Sequence, residues 1–243
     1  MSKLLVIVPI WNKEQFLEKT IEGVIQQTFT NFELVLIDDN STDGSLQIAE
    51  SYAHLDNVTV LQNPENKGCY FSINQGLKLF ENKPWDYFTL HGADDVSDIR
   101  RFQHFIDIFE QNPNTVGIKS TSIEYDSKTD QPTIKNGQYA TFTGEGTAFY
   151  RREVFNELGY FDNTRFSGDT DYMWRLEAVC ANKKPEWKVG ASEEILYVNY
   201  SHENNITKLY DWEVTRPRYW QKIREDIQNQ MIPTNNFYRQ IFE

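Results

Sequence analysis

Short apolar runs alternate along the first half of the chain with segments whose apolar residues return every three or four positions. Residues 4–9 are apolar throughout, as expected of a strand buried on both faces. Phe16, Leu17, Thr20, Ile21, Val24 and Ile25 then recur at helical spacing. Residues 32–37 form a second buried run. After it Asn40, Ser41, Thr42, Asp43, Gly44 and Ser45 make a turn rich in helix-capping types, and Leu46, Ile48, Ala49 and Tyr52 continue as a helix. A third strand is predicted over 58–61, ending in the breaker-rich segment 63–68, followed by a helix over 71–79 and a strand over 87–90. Phe102, Phe105, Ile106, Ile108 and Phe109 mark the next helix. Such alternation predicts an α/β protein with a parallel sheet and right-handed crossovers.

The second half reads differently. Strands are predicted over 117–125 and 139–143, separated by a polar loop at 126–132, then helices over 151–158 and 170–181 and a strand over 194–200. This α+β half suits a second substrate. Residues 207–243 form an aromatic-rich, helical tail with two roles open to it: packing on the core, or contact with a membrane surface or partner. The expected organisation is therefore one domain over 1–206, with a ligand-binding half at 1–112 and a second half at 113–206, plus an extension at 207–243.

Composition narrows the classes. A net charge of −12 on 243 residues argues against a nucleic-acid partner, which needs a basic footprint. Cys69 and Cys180 give neither a disulfide framework nor a zinc pattern. The N-terminal apolar run is short, is broken by Pro9 and leads into Trp11-Asn12-Lys13-Glu14, so it reads as a first strand and not as a signal peptide. No stretch approaches the ~20 apolar residues of a membrane span. A cytoplasmic protein is expected, with peripheral membrane contact through the tail as the one exception.

The chemistry lies in carboxylates. No Gly-x-Gly-x-x-Gly follows the first strand, and neither a P-loop nor a Gly-x-Ser-x-Gly elbow occurs. Instead Asp38-Asp39 closes the second strand, Asp94-Asp95 follows the fourth, and Asp169 and Asp171 open a helix. Ligands of open α/β sheets bind outside the carboxyl ends of the strands. Aspartates bunched there need something positive or donor-rich between them, such as a divalent cation and a nucleotide. The plainer readings are helix capping by Asp38-Asp39, a solvated turn at Asp94-Asp95, and complementing of a helix dipole by Asp169 and Asp171.

Val8-Pro9-Ile10-Trp11-Asn12-Lys13-Glu14 and the segment 37–45, followed in order by Asn66-Lys67-Gly68, Ala93-Asp94-Asp95, 144–152 and 169–176, resemble the family 2 glycosyltransferases. These are inverting enzymes of the GT-A fold, a Rossmann-like arrangement with a mostly parallel central sheet flanked by helices. The resemblance covers roughly the first two hundred residues. It implies that Asp38 accepts a hydrogen bond from the N3–H of a uracil or thymine, that Pro9 and Glu14 shape the same pocket, and that Asp39, Lys67, Gly68, Ala93 and Asp95 complete the donor site. Asp94 would bind Mn²⁺ or Mg²⁺ between the donor phosphates, with His202 at a position where some members touch metal or diphosphate. Asp169 matches the catalytic base, with Asp171 close enough in sequence to compete. Arg100, Lys67 and Arg175 are candidate cations, and Glu145-Gly146-Thr147 is a candidate acceptor-side loop.

The implied partners are a nucleoside-diphosphate sugar, with UDP-sugar favoured over dTDP- and GDP-sugars, and a saccharide or glycolipid acceptor. The chain departs from the family pattern in three places. Gly92 and Gly168 stand where acidic residues are frequent, and Ile73 stands where an arginine often binds phosphate. The two glycines motivate an alternative, a nucleotide- or glycan-binding module without turnover. A sugar-nucleotide-forming nucleotidyltransferase is a third reading, but it relies on a Gly-rich basic loop that Val8–Glu14 lacks.

Overall fold

The computed structural model describes residues 2–203, 205, 220–222 and 224–225. Strands β1 (Leu4–Ile10), β2 (Phe32–Asp38), β3 (Val58–Gln62) and β4 (Tyr87–Leu90) alternate with helices α1 (Leu17–Ile25), α2 (Ser45–Ser51) and α3 (Cys69–Phe80). A two-residue strand β5 (Val96–Ser97) precedes α4 (Arg101–Gln111). Then follow β6 (Thr115–Asp126), β7 (Gln131–Pro132), β8 (Ile134–Lys135), β9 (Gln138–Tyr139), β10 (Thr141–Arg151), α5 (Arg152–Leu158), α6 (Gly168–Asn182) and β11 (Lys188–Ser201).

The main sheet has the order β3-β2-β1-β4-β10-β6-β11-β5, with β7 paired to β6. From β3 to β4 every pairing is parallel. Beyond β4 the sheet is mixed: β10 runs antiparallel to both β4 and β6, β11 is parallel to β6, and β5 is antiparallel to β11. Because side chains alternate along a strand, β1 feeds two cores. Leu5 and Ile7 belong to a core with Ile73 and Leu77 of α3, Val154 of α5 and Leu176 of α6. Leu4, Val6 and Val8 belong to a second core with Ile21 of α1, Ala49 of α2 and Phe105 of α4. The unbroken apolar run thus reflects helices on both faces.

Register decides where the site falls. Ile10 is level with Asp38 and Ile7 with Leu90, so the segments after β1, β2 and β4 leave the sheet at one edge.

Some elements differ from expectation. β10 extends to Arg151, far beyond 143, because its pairing with β6 shifts between Gly144 and Phe149 and blurs the period-two pattern. The expected polar loop contains β7, and a separate β8–β9 hairpin turns at Asn136-Gly137, both left-handed (φ 52° and 77°). Asn-Gly is a favoured hairpin turn. Most of the 207–243 extension, including the expected membrane contact, lies outside the described residues. Residues 220–222 and 224–225 are helical. Trp220 packs against Trp174 of α6 with ring centroids 5.9 Å apart, and the Arg224 guanidinium lies 5.1 Å from the same ring. Among the described residues no helix is long and apolar enough to cross a membrane.

Candidate active site

A cavity of about 300 Å³ opens at the carboxyl edge of the parallel strands. Pro9, Ile10, Trp11 and Lys13 line it from the β1 end, Asp39 from the β2 end, and His91, Gly92, Ala93 and Asp94 from the β4 end. Gly68, Cys69, Tyr70 and Ile73 close one side, Gly146 of β10 another, and Arg165 and Asn205 complete the lining. Pro9, Asp39, Gly68, Ala93 and Asp94 were all expected at such a site.

The structure places the two members of the first acidic pair differently. Asp38 is fully buried and lies outside the cavity lining. One carboxylate oxygen accepts the Ser41 N–H at 3.0 Å and the other has no hydrogen-bond partner. Successive side chains of a strand point to opposite sides, so the carboxylate that reaches the cavity is the next one, Asp39. It is pinned there. Oδ1 accepts Asn63 Nδ2 at 2.7 Å and the Lys67 N–H at 3.1 Å, and Oδ2 accepts the Gly68 N–H at 2.7 Å. Gly68, at φ 94°, adopts a backbone that favours glycine and starts α3 against this carboxylate. Lys67 reaches the site only by its main chain, since its ammonium pairs with Glu65 outside.

The second pair sits between β4 and β5. Asp94 Oδ2 lies 2.5 Å from the Lys13 ammonium and 2.8 Å from His202 Nε2, and Lys13 Nζ is 3.4 Å from the same nitrogen. Burial works against ionisation of Asp94, yet the hydrogen bond from His202 and the charge of Lys13 outweigh it and hold its carboxyl below the ordinary range. His202 is stacked on Phe16 with centroids 4.8 Å apart. Lys13 is aimed by its turn. Asn12 takes a left-handed conformation (φ 52°), its N–H donates to Ser41 Oγ, and its side-chain oxygen accepts the Thr42 N–H. The Lys13 N–H donates to Ser45 Oγ at 2.7 Å, so the β1 and β2 loops hold the lysine between them.

Asp95 is not available to a donor. It is buried and accepts hydrogen bonds from Tyr197 Oη, Asn199 Nδ2 and the Tyr200 N–H, each at 3.0 Å. Burial and the neighbouring Asp94 charge push its carboxyl up to about 7. Tyr197 Oη in turn accepts the Gly92 N–H at 2.8 Å. The glycine has a steric reason: a Cβ at position 92 would stand 2.3 Å from Asp95 Oδ2. The β4–β5 turn therefore disfavours an aspartate at 92 by tying Asp95 to β11.

At α6 the two acids part. Asp171 is fully buried and ion-paired at 2.8 Å with Arg175, which is 2 % exposed and also donates to Leu158 O and Tyr160 O. That pair anchors α6 and takes Asp171 and Arg175 out of the candidate chemistry. Asp169 is only partly buried. Tyr70 donates to its Oδ1 at 2.6 Å, and its Oδ2 lies 3.1 Å from where a Cβ on Gly146 would be. Burial and the Asp169 charge keep the Tyr70 phenol far above its usual range, so it stays a donor. A Cβ at Gly168 would meet the Tyr70 ring at 2.8–3.0 Å. Tyr70 thus occupies the room that an acidic side chain at 168 would need.

Glu14 does not line the cavity; it is exposed and accepts the Gly44 N–H at 2.6 Å, closing the loop before α2. Arg100 pairs with Asp98 and Glu194 at the surface. Lys13, Tyr70 and Arg165 were not foreseen, because each acts from a position distant in sequence from the residue it meets. Among the described residues no three His, Cys, Asp or Glu gather as a metal site. Asp94 and His202 supply two donors, which suits a cation whose other ligands arrive with a diphosphate and water.

A parallel βα half continued by a mixed sheet, with carboxylates at the strand ends, is the GT-A architecture. The chain belongs to glycosyl transferase family 2, whose family model matches residues 5–167. It is 36% identical over 170 residues to the glycosyltransferase GlyA of Streptococcus pneumoniae, a match covering 67% of this chain and 21% of that protein. It is 31% identical over 225 residues to the minor teichoic acid biosynthesis protein GgaB of Bacillus subtilis, covering 91% and 23%. The chain spans about a fifth to two fifths of the length of curated relatives such as GlyA. Among solved structures, S. aureus TarS in complex with UDP-GlcNAc superposes with a TM-score of 0.73 at 18% identity, over 97% of this chain and 68% of that one. The mannosyltransferase PcManGT from Pyrobaculum calidifontis, in complex with GDP-Man and Mn²⁺, gives 0.66 at 14%, over 93% and 64%. At these identities the likeness is one of fold.

Proposed function

We propose that this protein is an inverting glycosyltransferase that moves a sugar from a nucleoside-diphosphate sugar, UDP-sugar by preference, to a saccharide hydroxyl of a glycan or glycolipid. The observation that carries the reading is the Asp169 carboxylate. One of its oxygens is fixed by Tyr70 and the other faces the Gly146 segment, beside the cavity that Asp94 lines.

Asp39 replaces Asp38 as the group that reads the base: its Oδ2 accepts one protein N–H and has a lone pair left for an imide N–H. Asp94 and His202 would hold the divalent ion; the nitrogen donor favours a transition ion, so Mn²⁺ is preferred to Mg²⁺. Bound there, the ion would supply positive charge to the departing diphosphate. The Asp169 Oδ2 takes the proton from the acceptor hydroxyl as its oxygen bonds to the anomeric carbon. The bond from that carbon to the diphosphate oxygen breaks, its electrons leave with the nucleoside diphosphate, and the configuration inverts. Tyr70 keeps the carboxylate in one orientation throughout. The UDP-GlcNAc held by TarS supports a uridine donor.

The test is a panel of sugar nucleotides with saccharide acceptors, scored by nucleoside-diphosphate release and by the product's anomeric configuration in NMR. Asp169→Asn is expected to lower transfer at least ~100-fold with UDP affinity nearly intact. Near-normal transfer, or a retained configuration, refutes the assignment. Nucleotide binding without turnover under every pairing would favour the binding-module reading.

A further inference from the structure

Where the family pattern often carries an arginine on α3, the cavity is lined by Ile73, buried to 2 % exposure. Among its described lining residues the cationic side chains are Lys13 and Arg165. Arg165 is exposed and donates to Asn66 Oδ1 at 2.9 Å and to Asn66 O at 3.3 Å. Lys13 is the cation held inside, with its ammonium on the Asp94 oxygen that a divalent ion would use.

We propose that Lys13 is a two-position cation: it occupies Asp94 while the site is empty, and it is displaced onto the donor diphosphate when a divalent ion takes Asp94. This inference rests on the nucleotide-sugar reading of the site. Two observations support it independently of that reading. The backbone of Lys13 is fixed by Ser45 and by the Asn12 turn, so the side chain swings from a rigid base while its charge stays in the cavity. The ammonium also touches both candidate metal donors, at 2.5 Å and 3.4 Å, so an ion between Asp94 and His202 cannot enter with the ammonium in place. Two cations cannot share one carboxylate oxygen at contact distance without strong repulsion. A diphosphate, in contrast, offers the released ammonium several oxygens and a charge-assisted hydrogen bond.

The consequence is coupling. Mn²⁺ alone must displace Lys13 with nothing to receive it, so it binds weakly. Mn²⁺ together with UDP gives the lysine a new partner, so each strengthens the other, and by linkage the factor is the same in both directions. Lys13→Met removes the charge and keeps the stem length.

The experiment titrates Mn²⁺ into the full chain by electron paramagnetic resonance, with and without UDP, for the wild type, Lys13→Met and Lys13→Arg. Calorimetry of UDP with EDTA is run in parallel, and circular dichroism verifies folding. Lys13→Met is expected to bind Mn²⁺ alone roughly tenfold tighter and to lose roughly tenfold of the enhancement that UDP gives. Lys13→Arg should stay near the wild type. Unchanged or weaker Mn²⁺ affinity in Lys13→Met overturns the proposal, as does an undiminished enhancement by UDP. Absence of Mn²⁺ binding in every form overturns it together with the metal assignment. Tighter Mn²⁺ in Lys13→Met with no UDP binding in any form supports the competition at Asp94 and rejects the nucleotide reading instead.

Discussion

Asp169 and Asp171 sit two residues apart on one helix, yet the structure predicts opposite phenotypes for them. Asp171→Ala takes the ion-pair partner from the Arg175 guanidinium, 2 % exposed and 2.8 Å from the lost carboxylate, and leaves a buried charge with only the weaker influence of the buried Asp162 carboxylate to offset it. Its remaining bonds, to Leu158 O at 3.2 Å and Tyr160 O at 3.0 Å, are to neutral carbonyls, and its stacking on Tyr172 at 5.0 Å neutralises nothing. Breaking such a pair from one side costs about 3–5 kcal/mol. For a chain of this size each kcal/mol moves the melting temperature by about 2–4 °C, so a fall of roughly 6–20 °C is expected. Asp169→Asn keeps an oxygen that can accept from Tyr70 and removes only a partly exposed charge, so its melting temperature should stay within about 2 °C of the wild type. Thermal unfolding by circular dichroism measures the first quantity, and nucleoside-diphosphate release from a sugar donor the second. An Asp171→Ala protein that melts with the wild type and fails in transfer would refute this division and move the base to Asp171.

His91 is buried, and burial together with the Arg101 charge pushes its imidazole down to about 3. It folds neutral while the unfolded chain protonates it near 6.5, so its contribution is complete above about 6.5 and drains as pH falls toward 3, at up to about 1.4 kcal/mol per pH unit. Urea unfolding at pH 7 and pH 5 should show His91→Gln losing roughly 2 kcal/mol less than the wild type; equal losses would contradict it. The Cys69 thiol is pushed up to about 12 by burial and by the Asp169 and Asp39 charges. Iodoacetamide at pH 8 should therefore label it on the order of a thousandfold more slowly than a free thiol, read by peptide mass spectrometry. Gly92→Asp, which restores the frequent family residue, is expected to destabilise the fold by about 1–3 kcal/mol and to weaken Mn²⁺ binding, because its Cβ would press on Asp95. Tighter Mn²⁺ binding in that variant would show that the turn has room.

The parallel half was legible because both its faces are buried. An unbroken run such as 4–9 admits few other placements, and helices at the expected spacing follow it. The mixed half was less so. The pairing shift between Gly144 and Phe149 hid most of β10, although the Asn136-Gly137 hairpin turn stood in the sequence as a readable signal. The strand-end acids were found by position, but the sequence alone does not tell which member of a pair faces the cavity. Strand alternation places Asp39 in the cavity lining and Asp38 outside it, and Asp171 is claimed by an arginine one helical turn away. Partners such as Lys13 with Asp94 and Tyr70 with Asp169 are separated by 81 and 99 residues and leave no local trace.

The two glycines that break the family pattern are better understood through what replaces them. At 92 the missing aspartate makes room for Asp95 to fold back on Tyr197 and Asn199, which fixes the turn that presents Asp94. At 168 the missing acid makes room for the Tyr70 ring, whose hydroxyl orients the neighbouring Asp169. In both cases another side chain fills the room, Asp95 tied to β11 at 92 and Tyr70 bonded to Asp169 at 168. If Asp169 serves as the proposed base, its fixed orientation is preorganisation of the group that receives the proton. The two positions thus keep ordered carboxylates at Asp94 and Asp169 with fewer acids than the family pattern provides.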